Sequence, residues 1–365
     1  MLEEEKIGSR QLAVLVVMFT VGTSMLLVPG ELAAEAKQDA WIASILGVGL
    51  GLLSVLLFWK LGDRFPDRTA AEYSELLLGK WLGKAMSVLF FSFCFMLSAV
   101  LLRDVGEFVS TQVLTETPIE FVHLLFLLIV VLGVRLGLAP IGRAAEIFFP
   151  WMVLLFLVVV GFLWPYAKIE NLKPLMEDGF KPVLLGGVQM FTLQEYVIFL
   201  MILPFVDNIH KRGSAMLKGA LVGGALVVIV TLDCILVLGP NVTTLYVYPA
   251  YVLAQKIDIG EFLSRIQIVV AGMWFLTIYF KTAVSFYASV VSLGQTLRLR
   301  EHRTLVLPLA AVMLAIANIA YPNMTYYVDF YRNVWIPYGL VFMVVPPVIL
   351  LTVSYVTGKK SPSCS

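Results

Sequence analysis

Apolar stretches long enough to cross a bilayer follow one another along almost the whole chain, and that recurrence constrains the fold more than any motif. A hydrocarbon core of about 30 Å takes roughly 20 apolar residues per helix, which predicts about ten spans. Approximately, they are Arg10–Glu35, Ala40–Leu61, Trp81–Val113, Pro118–Leu136, Ala144–Trp164, Val183–Phe205, Met216–Leu238, Phe262–Leu297, Leu305–Tyr321 and Val334–Val356. Lipid offers backbone amides and carbonyls no partners, so lipid-facing spans of this length must be helical. The expected fold class is an all-α membrane protein. Composition agrees, because 60% hydrophobic and 14% charged residues leave too little charge for a soluble surface. The apolar run from Gln11 is longer than a signal-peptide core of roughly 7 to 15 residues, so no cleavage is expected.

Lys and Arg fall unevenly between the loops. With ten spans, one side of the membrane carries 17 of them, from Lys6 and Arg10 through Arg212 to Lys360, and the other carries 7: Lys37, Lys168, Lys173, Lys181, Lys256, Arg265 and Arg332. Basic loops stay inside, so both termini are expected in the cytoplasm. A missed span would exchange the sides of every later loop and erase the asymmetry. Asp67–Leu78 reads as a cytoplasmic surface helix, with Ala71, Leu76 and Leu78 opposite Asp67, Arg68, Glu72 and Glu75. The outer segments Tyr166–Pro182 and Asn241–Glu261 are the longest outside loops, and Tyr248–Leu253 is placed to pack over a cavity mouth.

Two spans carry polar residues halfway down. Thr20-Val21-Gly22-Thr23-Ser24 followed by Pro29 suggests an interrupted span one, and Met190-Phe191-Thr192-Leu193-Gln194-Glu195-Tyr196 followed by Pro204 suggests an interrupted span six. An unwound helix frees backbone groups, and its half-helix ends carry partial charges of about half an elementary charge. Spans one and six run in opposite directions. Ten spans divided into repeats of about 10–164 and about 183–356, each opening on an interrupted helix, form the LeuT-type 5+5 inverted repeat within one membrane domain.

Charges inside a membrane need a partner or a role. Arg103 and Glu107 lie four apart on span three and either pair along one face or act as an outer gate. Glu195, just past the span-six break, either meets a ligand amine or a proton, or bonds freed backbone. Asp233 lies in the outer third of span seven and reaches interfacial water. Lys281 is the most informative charge. Thr277, Lys281, Ser285, Ser289 and Ser292, with Thr282 beside them, form one polar stripe on an apolar helix that must face the interior. Its ammonium either stands where coupled transporters bind a cation or forms a structural pair, with Glu195 as a candidate.

Other function classes find no support. There is no basic patch interleaved with aromatics for nucleic acid. His123, His210 and His302 lack metal-ligand spacing, and Cys94, Cys234 and Cys364 are isolated thiols, so no metal or cofactor is expected. Gly47-Val48-Gly49-Leu50-Gly51 lies inside span two, where glycines serve close helix packing. An enzyme is not expected.

Gly22-Thr23-Ser24-Met25-Leu26-Leu27-Val28-Pro29 followed by Ala34-Glu35-Ala36-Lys37-Gln38-Asp39-Ala40-Trp41-Ile42 resembles the signature of the B subunits of spore germinant receptors, the endospore germination permease family. Phe65-Pro66, Leu78-Gly79-Lys80-Trp81-Leu82-Gly83, and Leu102-Arg103 with Gly106-Glu107-Phe108 continue the likeness over essentially the whole chain. The resemblance implies the amino acid, polyamine and organocation transporter superfamily, the inner membrane of a spore, and assembly with receptor A and C subunits. It also implies that an amino acid or similar small nutrient is sensed to trigger germination. Superfamily members usually show Gly-x-Gly in the first break; here Ser24 replaces the second glycine, and the hydroxyls of Thr23 and Ser24 can substitute. The ligand contacts implied are Gly22, Thr23 and Ser24 on span one, Val100 on span three, Thr192, Gln194 and Glu195 on span six, and Thr282 and Phe286 on span eight. A proton- or sodium-coupled amino-acid transporter is the alternative, and a pore-forming or scaffold subunit that binds no nutrient is a third.

Overall fold

The computed structural model describes residues 6–256, 266–321 and 324–360. Cys364 and Arg265, and the first residues of the expected span Phe262–Leu297, lie outside the described residues. Among the described residues all repetitive structure is helical. Nine apolar helical stretches are long enough to cross a bilayer, and the first, Ser9–Arg64, contains two helices bent apart at Lys37–Asp39. These are α1 (Ser9–Ala36) and α2 (Ala40–Arg64), so the expected ten spans are all present.

The remaining helices are α3 (Ala70–Phe108), α4 (Ile119–Leu136), α5 (Leu138–Leu163), α6 (Phe180–Thr192), α7 (Ile209–Leu238), the short α8 (Pro240–Leu245) and α9 (Pro249–Gln255), α10 (Ile266–Thr296), α11 (Val306–Ile319), α12 (Met324–Phe330) and α13 (Ile336–Val356). The expected surface helix forms the start of α3. Thr69 caps it in a box with Glu72, and Gly79, at φ +81°, turns the chain from that helix into span three. Span five starts earlier than expected, at Leu138, because Gly137 at φ +99° lets the chain turn directly after α4. Span seven also starts early, at Ile209, because the basic residues near its start do not end the helix. Asn208 caps it, its side chain accepting from the Lys211 amide. Span ten begins well before Val334, where α12 runs through a π-helical turn, Tyr331–Trp335, into α13.

Helix α1 is buried on every side over most of its length, the mark of a central helix. It packs chiefly against α7 and α10, while α2 packs against α6 and α7, and α3 against α10. Small residues set these distances. A Cβ at Gly219 would lie 2.5 Å from the Ala13 carbonyl, and one at Gly223 would lie 2.7 Å from Thr20 Cβ. The span-two glycines act as expected: Gly47 meets Met190 and Gly187, and Gly51 meets Gln194, whereas Gly49 faces open space. Outward faces of α4, α5 and α13 expose large apolar side chains such as Phe121, Leu125, Trp151, Leu157, Val341 and Val345, as a lipid-facing surface does.

Span six is interrupted as expected. The α-helix stops at Thr192, Leu193 to Glu195 are non-helical, and the chain resumes as 3-10 turns over Tyr196–Met201 and Leu203–Phe205. Span one corrects the expectation: α1 continues unbroken through Gly22, Thr23 and Ser24, and Pro29 lies inside it. Gly22 is needed there for closeness and not for unwinding, as the site shows.

At the basic end of the bundle the lower half of span six is tied down. Ile7 donates its amide to the Phe205 carbonyl at 2.8 Å and accepts from the Asp207 amide at 3.0 Å. Buried Arg212 donates to the carbonyls of Gly62 (2.7 Å), Pro66 (2.9 Å) and Leu203 (3.4 Å). Single cysteines replacing exposed Lys173 and Lys211 test the orientation. A membrane-impermeant thiol reagent should label the first in intact cells and the second only after permeabilisation; the reverse pattern would invert the topology.

Candidate functional site

The polar stripe on α10 faces the interior, with Thr277, Lys281, Thr282, Ser285, Ser289 and Ser292 all fully buried. Most of its hydroxyls satisfy themselves on their own helix: Thr277 donates to Trp274, Thr282 to Ile278, Ser285 to Lys281 and Ser289 to Phe286. That leaves Lys281 as the charge to be accounted for. Its Nζ lies 2.8 Å from Glu195 Oε2, donates to the Leu193 carbonyl at 3.0 Å, and sits 5.1 Å from the centre of the Phe19 ring. Both charged side chains are sealed from solvent, at 0% and 1% exposure.

Each partner depends on a local backbone feature. The Leu193 carbonyl can accept because α6 ends at Thr192, and Glu195 adopts the left-handed conformation, φ +35°, that turns the chain at the break. On the other side, a Cβ at Gly22 would stand 3.0 Å from both Cβ and Cδ of Lys281. The stem of Lys281 therefore lies across Gly22 on its way to span six. Of the two readings open for Lys281, the pair with Glu195 is present.

Beside this pair lies a closed cavity of about 10 Å³ for a water-sized centre, the room of one water molecule. Its polar wall is Thr23 from α1, Asp104 from α3 and Glu195 from the break. Val100 and neighbouring leucines form the α3 side, and Tyr327, Phe330, Tyr331 and Trp335 close the opposite side. Above it, Arg103 and Glu107 pair at 3.1 Å along one face of α3, the guanidinium stands 4.7 Å over the Tyr321 ring, and the Tyr321 hydroxyl donates to Asp104 Oδ1 at 3.1 Å. Tyr248 and Tyr251 pack edge-on against Phe108, so the Tyr248–Leu253 segment packs over this end of the bundle.

The expected site residues thus divide. Thr23, Val100 and Glu195 line the cavity, and Gly22 and Lys281 stand behind it. Ser24 is buried with its hydroxyl unpartnered, outside the lining. Thr192 bonds back to Gln189, and the Gln194 side chain turns away against Gly51. Thr282 and Phe286 are buried in α10 outside the cavity wall. Asp233 does not simply reach water: one carboxyl oxygen is buried and unpartnered in a separate apolar cavity beside Met25, Phe156 and Met273. Among the described residues no cluster of three or more His, Cys, Asp or Glu can hold a metal.

Sequence reading passed over Asp104 and the aromatic wall. Both left a signal. Asp104 is a third charge beside Arg103 and Glu107 within an apolar span, and Tyr327, Tyr331 and Trp335 recur at a spacing of four, one face of a helix.

Removing one partner of a buried pair leaves an uncompensated charge, at a cost of about 3–5 kcal/mol. Lys281→Met should therefore lower thermal stability and yield sharply, and Lys281→Met combined with Glu195→Gln should recover most of the loss. Thermal melts of the purified variants measure this; a single variant as stable as the parent would show the pair to be dispensable.

Comparison with known proteins agrees with this architecture. A family model described as "Spore germination protein" matches residues 6–324. Spore germination protein KB of Bacillus subtilis (strain 168) is 29% identical over 361 residues, 93% of each chain. Spore germination protein GerLB of Bacillus cereus is 26% identical over 298 residues, 80% of this chain and 78% of that one. Among solved structures, MhsT in complex with L-phenylalanine superposes with a TM-score of 0.69 at 14% identity, covering 96% of this chain and 99% of MhsT. Mhp1, a nucleobase-cation-symport-1 family transporter in a closed conformation with bromovinylhydantoin bound, gives 0.66 at 12% identity, covering 93% of this chain and 78% of Mhp1. Those two likenesses show the fold, the LeuT-type arrangement of transporters, and the matching family is one of spore germination permeases rather than enzymes. This integral membrane protein belongs to the spore germination protein family.

Proposed function

We propose that the chain is the nutrient-sensing subunit of a spore germinant receptor, residing in the spore inner membrane with both termini in the cytoplasm and working with receptor A and C subunits. Ligand binding at the span-six break shifts a conformational equilibrium and triggers germination. The observation that carries this reading is the small cavity at the break, walled by Thr23, Asp104, Glu195 and four aromatic side chains in a spore germination protein; at the size of one water it must widen to admit a nutrient, which ties binding to a change of conformation. An amino acid is the ligand class favoured, on the family resemblance.

The shared transporter fold supports the alternative of a proton- or sodium-coupled amino-acid transporter. Sensing is preferred because a fixed ammonium, Lys281, already sits on the freed Leu193 carbonyl, the kind of oxygen that would receive a mobile coupling ion. A sensor must switch by differential binding. Ligand at 100 times its dissociation constant supplies about 2.7 kcal/mol, whereas carrying a 1:99 equilibrium to 99:1 needs about 5.5 kcal/mol. One site falls short of switching a tightly closed receptor, which favours several such subunits acting together.

In liposomes with labelled amino acids and an imposed proton or sodium gradient, saturable binding without accumulation is expected; concentrative uptake would establish the transporter instead. Gly22→Val should impair nutrient response and lower yield as well, because the new side chain would press on the Lys281 stem and strain its pair with Glu195. Germination dose-response at matched protein level measures this, and unchanged sensitivity would remove Gly22 from the site.

A further inference from the structure

Five charge-bearing side chains, tyrosines aside, surround the cavity and its rim: Arg103, Asp104, Glu107, Glu195 and Lys281. Lys281 is engaged by Glu195, and Arg103 by Glu107, as two close ion pairs. Among the described residues Asp104 is left over. It is 5% exposed, lines the cavity, and the one side-chain hydrogen bond it receives from them is from the neutral hydroxyl of Tyr321. Two cations against three carboxylates leave one negative charge in a membrane interior, where an unpaired charge is costly. Facing Asp104 across the cavity are Tyr327, Phe330, Tyr331 and Trp335, and aromatic faces attract cations. Thr23 adds a buried hydroxyl oxygen without a partner.

The same wall offers an anion no unengaged cation, only the hydroxyl donors of Thr23 and Tyr331. Helix α1 is unbroken, so its amides at Gly22 to Ser24 stay in the helix ladder, and the Lys281 ammonium is held by Glu195 and the Leu193 carbonyl. On the reading of the cavity as the nutrient site, we infer that Asp104, and not Glu195, is the counter-ion for a ligand ammonium group, which lies between Asp104, the Thr23 hydroxyl and the aromatic wall. The ligand's amine is then essential and its carboxylate dispensable.

Three probes of similar size separate the possibilities: L-alaninamide, a cation without a carboxylate; L-alanine, a zwitterion; and L-lactate, an anion without an amine. Equilibrium binding is measured on the full chain in lipid nanodiscs. Alaninamide and alanine should bind and lactate should not. Asp104→Asn, which keeps the shape and removes the charge, should weaken both amines by at least about tenfold, the loss of a charge-assisted contact, while Asp104→Glu should retain binding. Tyr331→Leu should weaken them and Tyr331→Phe should not, since the ring face and not the hydroxyl is the contact.

Asp104→Asn protein that melts like the parent and binds alaninamide within about twofold would overturn the assignment. If that variant does not fold, the ranking on the unmodified chain decides: lactate bound as tightly as alaninamide overturns it. Saturable binding of lactate alone, lost in Tyr331→Leu, would reject the ammonium assignment and leave the cavity as a nutrient site. Saturation by none of the probes would count against both readings.

Discussion

The arrangement of the centre follows from one buried ion pair. A lysine ammonium in a membrane interior is tolerated only beside a counter-charge and hydrogen-bond acceptors. Glu195 supplies the charge, and the interruption of span six supplies the Leu193 carbonyl. The break, the left-handed Glu195 backbone, the glycine at position 22 and the polar face of α10 are connected demands of placing that one charge. Because Lys281 belongs to α10 and Glu195 to span six, the pair also bridges two spans across the flank of α1.

The placement of charge distinguishes this centre from an empty transporter cavity. The cation at the break is covalently part of the protein, so it can leave only if α10 or span six moves. Closure above the cavity is built differently, from the Arg103–Glu107 pair, the tyrosines packed about it and the α9 segment. At the basic end Arg212 and the backbone of Ile7 hold the lower half of span six. The cavity is thus closed at both ends by different means, with ionic and aromatic contacts on one side and largely backbone carbonyls on the other.

Much of this was legible in the sequence, for reasons that also explain what was not. Bilayer thickness dictates apolar length, so the ten spans could be counted directly, and Gln194 and Glu195 marked the break because polar groups are expensive at that depth. Gly22-Thr23-Ser24 gave the same signal for a different cause: a small residue looks alike whether a helix unwinds there or a neighbour passes close, and here it is the Lys281 stem that passes. Depth can be read from a sequence, but rotation about a helix axis is harder. Gln194 was placed at the right level on the wrong side, turned to Gly51, and Thr282 and Phe286 lie at α10 positions that miss the cavity. Asp104 is masked in the sequence by Arg103 and Glu107, which pair so readily at i and i+4 that the acid between them does not stand out by itself.

The π-helical turn at Tyr331–Trp335 gives the aromatic wall a particular mechanical character. A π turn accommodates one more residue than an α turn. Converting it to α-helix would shift the register of everything on one side by a single residue, about 1.5 Å of rise and 100° of rotation. Helix α13 is anchored at its far end, where Arg64 donates to the Ser354 carbonyl, so the displacement would fall on α12 and swing the Tyr327 ring along an arc out of the cavity wall. Any change of register at that turn would therefore come as a whole residue and not by degrees.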